Sequence, residues 1–201
     1  MVRRSLEEVA GKSVDFLGTS SGLHDLLFCS QLEAFLSPLK DSNEKYDVCY
    51  FWMGYHSLIN DEGETYNEAD YNRFEQDIET VIDHIRKYCK RIVICSSLYP
   101  YIKKYKGALW YRLWYHLKPL SRIGLEIVNE KDASIISRKN EILQKISVAK
   151  GLPFCDINGY MENLRKHYRT RCIHFDTIHY EKKAYPIIAK LLVESKKQIE
   201  K

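Results

Sequence analysis

Several features that would mark a protein class are missing from this sequence. No apolar run approaches the roughly 20 residues that a membrane-spanning helix needs. Met1-Val2-Arg3-Arg4 leads into a charged stretch rather than the apolar core of a signal peptide. The six cysteines (29, 49, 89, 95, 155 and 172) contain no Cys-x-x-Cys and no metal-type spacing. That argues against a structural metal centre and suits a reducing compartment, so a cytoplasmic location is expected. No concentrated basic face is visible either. The formal net charge is only +4 and the basic residues are spread through the candidate helices, so no nucleic-acid partner is expected. Finally, no Gly-x-Gly-x-x-Gly and no lysine accompany Gly18-Thr19-Ser20-Ser21-Gly22. A phosphate cradle at that point is therefore disfavoured.

What is present is the composition of an ordinary globular protein, 45% hydrophobic and 29% charged over 201 residues. One domain spanning 1–201 is expected, large enough to bury its own core. Residues 3–11 read as a short helix ending at Gly11, and Ser13–Leu17 as a strand running into Gly18. Apolar residues at helical spacing from Leu23 to Leu36 predict a helix that Pro38 closes. Asp47–Met53 and Arg91–Ser96 are nearly continuous apolar runs, the pattern of strands buried on both faces. A polar loop over 60–68 precedes a helix from about Ala69 to Cys89, with Phe74, Ile78, Val81, Ile82 and Ile85 on one side. A helix over 130–150 is capped by Gly151, Pro153–Ile157 is the last strand, and a helix over 181–200 ends the chain. This alternation predicts an α/β fold with a mostly parallel sheet and right-handed crossovers.

In such sheets function gathers at the carboxyl ends of the strands. Each predicted strand is followed there by polar, small or titratable residues: Gly18-Thr19-Ser20, Gly54-Tyr55-His56-Ser57, Ser96-Ser97 and Asp156. The segment His174-Phe175-Asp176-Thr177-Ile178-His179 precedes the last helix and can reach the same edge. Asp176, three residues before His179, can hold one ring nitrogen while the other faces a nucleophile. The bland alternative is a helix-start histidine paired with Asp176 for capping. Asp156 reads as a cap for the helix that follows it, and Cys49, Cys95 and Cys155, each in an apolar run, as small buried thiols.

This order of pieces resembles the SGNH (GDSL-like) hydrolase family, over roughly residues 13–195. Asp176–His179 with Tyr185 looks like the family's last block. Tyr46–His56 looks like its third block, a strand leading to Gly-x-Asn, with His56 where the asparagine is usual. Ser137-Arg138-Lys139-Asn140 and Gly151–Ile157 look like its helix and last strand. The resemblance implies a flavodoxin-like three-layer sandwich and a serine nucleophile, with no metal or organic cofactor required. It departs at the first block, since no Gly-Asp-Ser occurs. Two assignments stay open, and the spacing, with only one helix between Gly18 and the strand at Asp47, favours the second. In one, Ser13–Leu17 is the family's first strand and Ser20 is the nucleophile. In the other it is the second strand, Gly18–Gly22 helps form the oxyanion hole, and the nucleophile is absent or lies upstream of Met1. That second case leaves a central strand missing, so two strands must meet directly or a second protomer, in a homo-oligomer, must fill the place.

The resemblance thus implies catalytic Ser20, His179 and Asp176, and an oxyanion hole from Gly18, Gly54 and His56. Segment 98–124 is an insertion rich in aromatic and basic residues, following a buried strand. It is read either as a platform for sugar rings, with Tyr99, Trp110 and Trp114 as substrate-binding residues, or as a helical insertion packing on the body of the domain. The implied activity is a serine esterase or acyl hydrolase acting on a small-molecule or carbohydrate ester, removing or transferring an O-acyl group. The rival is a non-catalytic glycan- or protein-binding module that keeps the fold without a nucleophile.

Overall fold

The computed structural model describes residues 2–15, 30–40, 44–53, 65–99, 101–105, 124–128, 130–167 and 184–197. The elements, in chain order, begin with α1 (Val2–Ala10), α2 (Ser30–Lys40), β1 (Cys49–Trp52), α3 (Glu68–Ile85) and β2 (Ile92–Cys95). They continue with β3 (Tyr101–Tyr105), β4 (Gly124–Val128), α4 (Glu130–Ala149), β5 (Phe154–Cys155), α5 (Ile157–His167) and α6 (Tyr185–Lys197). Among the described residues the main sheet is parallel in the order β1-β2-β5, with Cys49 opposite Ile92, Trp52 opposite Cys95 and Cys95 opposite Cys155.

Side-chain alternation along the strands sorts the core into two layers. Val93 and Cys95 of β2 face one side, where they meet Leu6 of α1, Met161 of α5, and Ile188 and Leu192 of α6. Ile92 and Ile94 face the other side, against Phe74, Ile78, Val81 and Ile82 of α3 and Ile142, Leu143 and Ile146 of α4. Every residue of β2 is buried, because helices cover both faces of the strand; this is why its sequence reads as an unbroken apolar run. The α/β fold with a parallel sheet expected from the alternation is the one observed, with helices on both faces of the sheet among the described residues.

Local chemistry sets where the helices start and stop. Asn67 caps α3, its Oδ1 accepting from the amides of Ala69 (2.8 Å) and Asp70 (3.1 Å) while Asp70 Oδ2 accepts from the Asn67 amide (2.8 Å). This reciprocal pair satisfies amides that the helix cannot. Gly11 and Gly151 end α1 and α4 at φ 64° and 63°, a left-handed conformation that costs glycine little.

Three expectations need correction. Helix α2 does not stop at Pro38 but runs through it to Lys40. Proline cannot donate to the carbonyl four residues back, and the Ser37 hydroxyl donates to that Ala34 carbonyl instead (2.9 Å). Residues 13–15 of the expected first strand have no regular structure, and the rest of that stretch lies outside the described residues. The two ends of segment 98–124 are not helical: β3 and β4 pair antiparallel, Tyr101 opposite Val128 and Tyr105 opposite Gly124.

Candidate active site

Because β1, β2 and β5 are parallel, all three deliver their following residues to one edge. Ser96 continues the β2–β5 ladder, its amide donating to the Cys155 carbonyl (3.0 Å). The chain then passes through a set of polar contacts contributed by α4 and α5. Asn140 of α4 takes Ser97 in both directions: Oδ1 accepts from the Ser97 amide (2.7 Å) and Nδ2 donates to the Ser97 carbonyl (3.0 Å). Asn158, in the first turn of α5, donates its amide to Ser96 Oγ (2.8 Å) and accepts from the Tyr99 amide on Oδ1 (3.0 Å). The Tyr99 hydroxyl lies 3.1 Å from Ser137 Oγ of α4. Ser96, Ser97 and Asn158 are buried, where an unmet backbone group would carry its full desolvation cost. The four residues beyond β2 are therefore held in place rather than left as a loose turn, and β3 starts two residues after Tyr99.

Asp156 follows β5 and caps α5, its Oδ1 accepting from the Gly159 amide (2.9 Å). This is the capping role expected of it. At the carboxyl end of β1 the buried indole N–H of Trp52 has no hydrogen-bond partner among the described residues. Near the same edge Lys139 of α4 is 2% exposed. Its Nζ sits 3.9 Å from the centre of the Tyr66 ring and 5.1 Å from that of Phe74. Burial pushes its ammonium down from 10.5 to about 8, since a desolvated cation is disfavoured.

The cysteines match the bland reading. Cys49, Cys89, Cys95 and Cys155 are free thiols, and all but the half-buried Cys49 are buried. Cys155 is lowered by the hydrogen bond from Cys95, and Cys95 is raised, first by burial. Cys49 is raised by its contact with Cys89 and then by burial.

Of the residues singled out from the sequence, Tyr99 is described, half-buried and held at both its amide and its hydroxyl. Ser20, Asp176, His179, Gly18, Gly54, His56, Trp110 and Trp114 lie outside the described residues. Their flanks are described. Lys12 pairs with Asp47 (2.9 Å) and the Tyr46 hydroxyl donates to Asp15 (3.0 Å). Residues 12–15 therefore run beside the chain entering β1. Met53 closes β1 at the carboxyl edge, and Ala184, buried against the sheet, opens the last helix.

Asn140, Asn158 and Ser137 were not read as site residues from the sequence. Asn140 and Ser137 entered only inside a helix resembling the family's. The available signal was an amide side chain in the first turn after a strand, in Asp156-Ile157-Asn158, at the edge where parallel sheets place their sites.

With this arrangement in view, likeness to known proteins takes on meaning. A family model described as GDSL-like Lipase/Acylhydrolase matches residues 9–192, and the chain belongs to that family. Its fold is similar to that of an acetyl xylan esterase, with a TM-score of 0.65 at 15% identity, covering 96% of this chain and 89% of that one. It is also similar to an α/β hydrolase enzyme from the metagenome of Lake Arreo, Spain (TM-score 0.62, 11% identity, 96% and 78% covered). An acetylxylan esterase from Geobacillus stearothermophilus has a TM-score of 0.58 at 12% identity, with 96% of this chain and 78% of that one covered. No curated protein sequence matches it.

Proposed function

We propose that this chain is an SGNH-type serine esterase that removes an O-acyl group, such as acetyl, from a carbohydrate. The observation that carries the reading is the extent of the family match: residues 9–192 include Ser20, Gly54–His56 and Asp176–His179 together. The serine of this reading is Ser20, in the assignment that makes Ser13–Leu17 the family's first strand. The likeness to two acetyl xylan esterases suggests the acetyl group and the carbohydrate alcohol.

In this mechanism Ser20 Oγ attacks the ester carbonyl carbon while His179 accepts the serine proton. Asp176 orients His179 and stabilises its charged form without taking a proton. The amides of Gly18 and Gly54, with His56, hold the oxyanion of the tetrahedral intermediate. Collapse breaks the bond to the sugar oxygen, which leaves with the proton from His179. Water, deprotonated by His179, then attacks the acyl-serine and releases the carboxylic acid, restoring Ser20. The chain is read as a single domain, and the four free thiols among its described residues suit a reducing, cytoplasmic setting.

Release of acetate from an acetylated xylo-oligosaccharide tests this reading. The chain should release it, and Ser20→Ala and His179→Ala should each stop release while leaving thermal unfolding cooperative. A folded chain that releases no acetate from this substrate or from a simple acetate ester contradicts it.

A further inference from the structure

Tyr99 is the one expected substrate-binding residue the structure describes, and four polar contacts fix the backbone on which it sits. Ser97 exchanges two hydrogen bonds with Asn140, at 2.7 and 3.0 Å. The amides and side chains of Ser96, Asn158 and Tyr99 interlock at 2.8 and 3.0 Å. The set meets backbone groups of Ser97 and Tyr99 on one side and the amide of Asn158 on the other. It uses side chains from two different helices, α4 and α5, to fix a four-residue segment. It also reaches the ring itself, through Ser137 Oγ at 3.1 Å from the Tyr99 hydroxyl.

We propose that Asn158, Asn140 and Ser137 are positioning residues for substrate recognition: they hold Tyr99 at the carboxyl edge so that its partly buried side chain meets the carbohydrate part of the ester. This rests on the esterase reading above and deepens it. A ring held at both ends loses little freedom on binding, so more of its contact energy appears as affinity. A small ester with no sugar does not reach the ring and is indifferent to the clamp. The clamp therefore sets the preference for the alcohol, not the rate of acyl transfer.

The test is steady-state kinetics of the full chain on 4-nitrophenyl acetate and on an acetylated xylo-oligosaccharide, with thermal unfolding as the fold control. Asn158→Ala removes the acceptor for the Tyr99 amide, and Asn158→Asp keeps it. In Asn158→Ala the KM for the oligosaccharide should rise about fivefold, the worth of one net hydrogen bond. Its kcat, and both constants for 4-nitrophenyl acetate, should stay within about twofold, and Asn158→Asp should restore the KM. Equal losses on both substrates, or an unchanged oligosaccharide KM, overturn the proposal. If Asn158→Ala does not fold, Ser137→Ala, which frees only the hydroxyl, takes its place. A rise of about threefold in oligosaccharide KM alone supports the proposal; no rise overturns it. If the unaltered chain hydrolyses neither ester, the esterase reading fails by itself, and calorimetric titration with the oligosaccharide decides. Binding that weakens about fivefold in Asn158→Ala upholds the clamp, whereas no binding, or equal binding, removes it.

Discussion

The Gly159 amide donates to Asp156 Oδ1 at 2.9 Å, and a Cβ placed on Gly159 would stand 2.1 Å from Asp156 Oδ2. The cap and the glycine are thus one device: the carboxylate folds over the third residue of α5 because that residue has no side chain. Gly159→Ala should gain about 1 kcal/mol of helix propensity but displace the carboxylate and lose a cap worth about 1–2 kcal/mol. The net expectation is a loss of up to about 1 kcal/mol in the natural chain. In an Asp156→Ala background the same substitution should stabilise. Urea unfolding of the four proteins of this cycle measures the change of sign.

Lys139 makes a prediction about alkaline pH. Its folded value is lowered to about 8 from 10.5, so the charged form costs about 3 kcal/mol in the fold. Below about 8 both folded and unfolded chains carry the proton and the cost is fully present. Between about 8 and 10.5 the unfolded chain binds more protons, and stability from this residue rises with pH. Lys139→Met should therefore be more stable than the natural chain near neutrality. Its advantage should shrink as pH climbs through that window. Denaturant midpoints for both proteins at pH 7 and pH 10 check it; an advantage that does not shrink contradicts the burial of a charged amine.

Helix α4 offers a contrast between two of its own faces. Leu143 is fully buried against α3 and β2, whereas Val148 is 76% exposed. Leu143→Ala should cost about 3 kcal/mol through lost burial and the cavity left behind. Val148→Ala should be neutral or slightly stabilising, since alanine is the better helix former. Thermal or urea unfolding separates the two readily.

The layers of this fold were legible because burial on both faces leaves a signature that needs no neighbour to interpret. Ile92–Cys95 is apolar throughout, and Phe74, Ile78, Val81, Ile82 and Ile85 recur at helical spacing. Pro38 misled because its effect depends on the residue beside it: the Ser37 hydroxyl takes the carbonyl that proline leaves unserved. The hairpin at Tyr101–Tyr105 was obscured by the wealth of aromatic and basic side chains, although Ile102-Lys103-Lys104-Tyr105 breaks any helical stripe. The clamp on Ser96–Tyr99 was the least legible part. Asn140 lies 43 residues from Ser97 and Asn158 lies 59 from Tyr99, and nothing local in the sequence announces a contact made by the crossing of two helices over one strand end. The acid–histidine pair was visible as a pattern, while its nucleophile rests on the choice between two assignments of Ser13–Leu17.

The measurement that bears most directly on the central claim is labelling of the full chain with a fluorophosphonate, followed by peptide mapping. The account predicts a single adduct on the peptide carrying Ser20, lost in Ser20→Ala, with a fall in esterase kcat of at least about a thousandfold in that variant. A folded chain that takes up no label, or a Ser20→Ala variant that still turns over, would contradict Ser20 as the nucleophile.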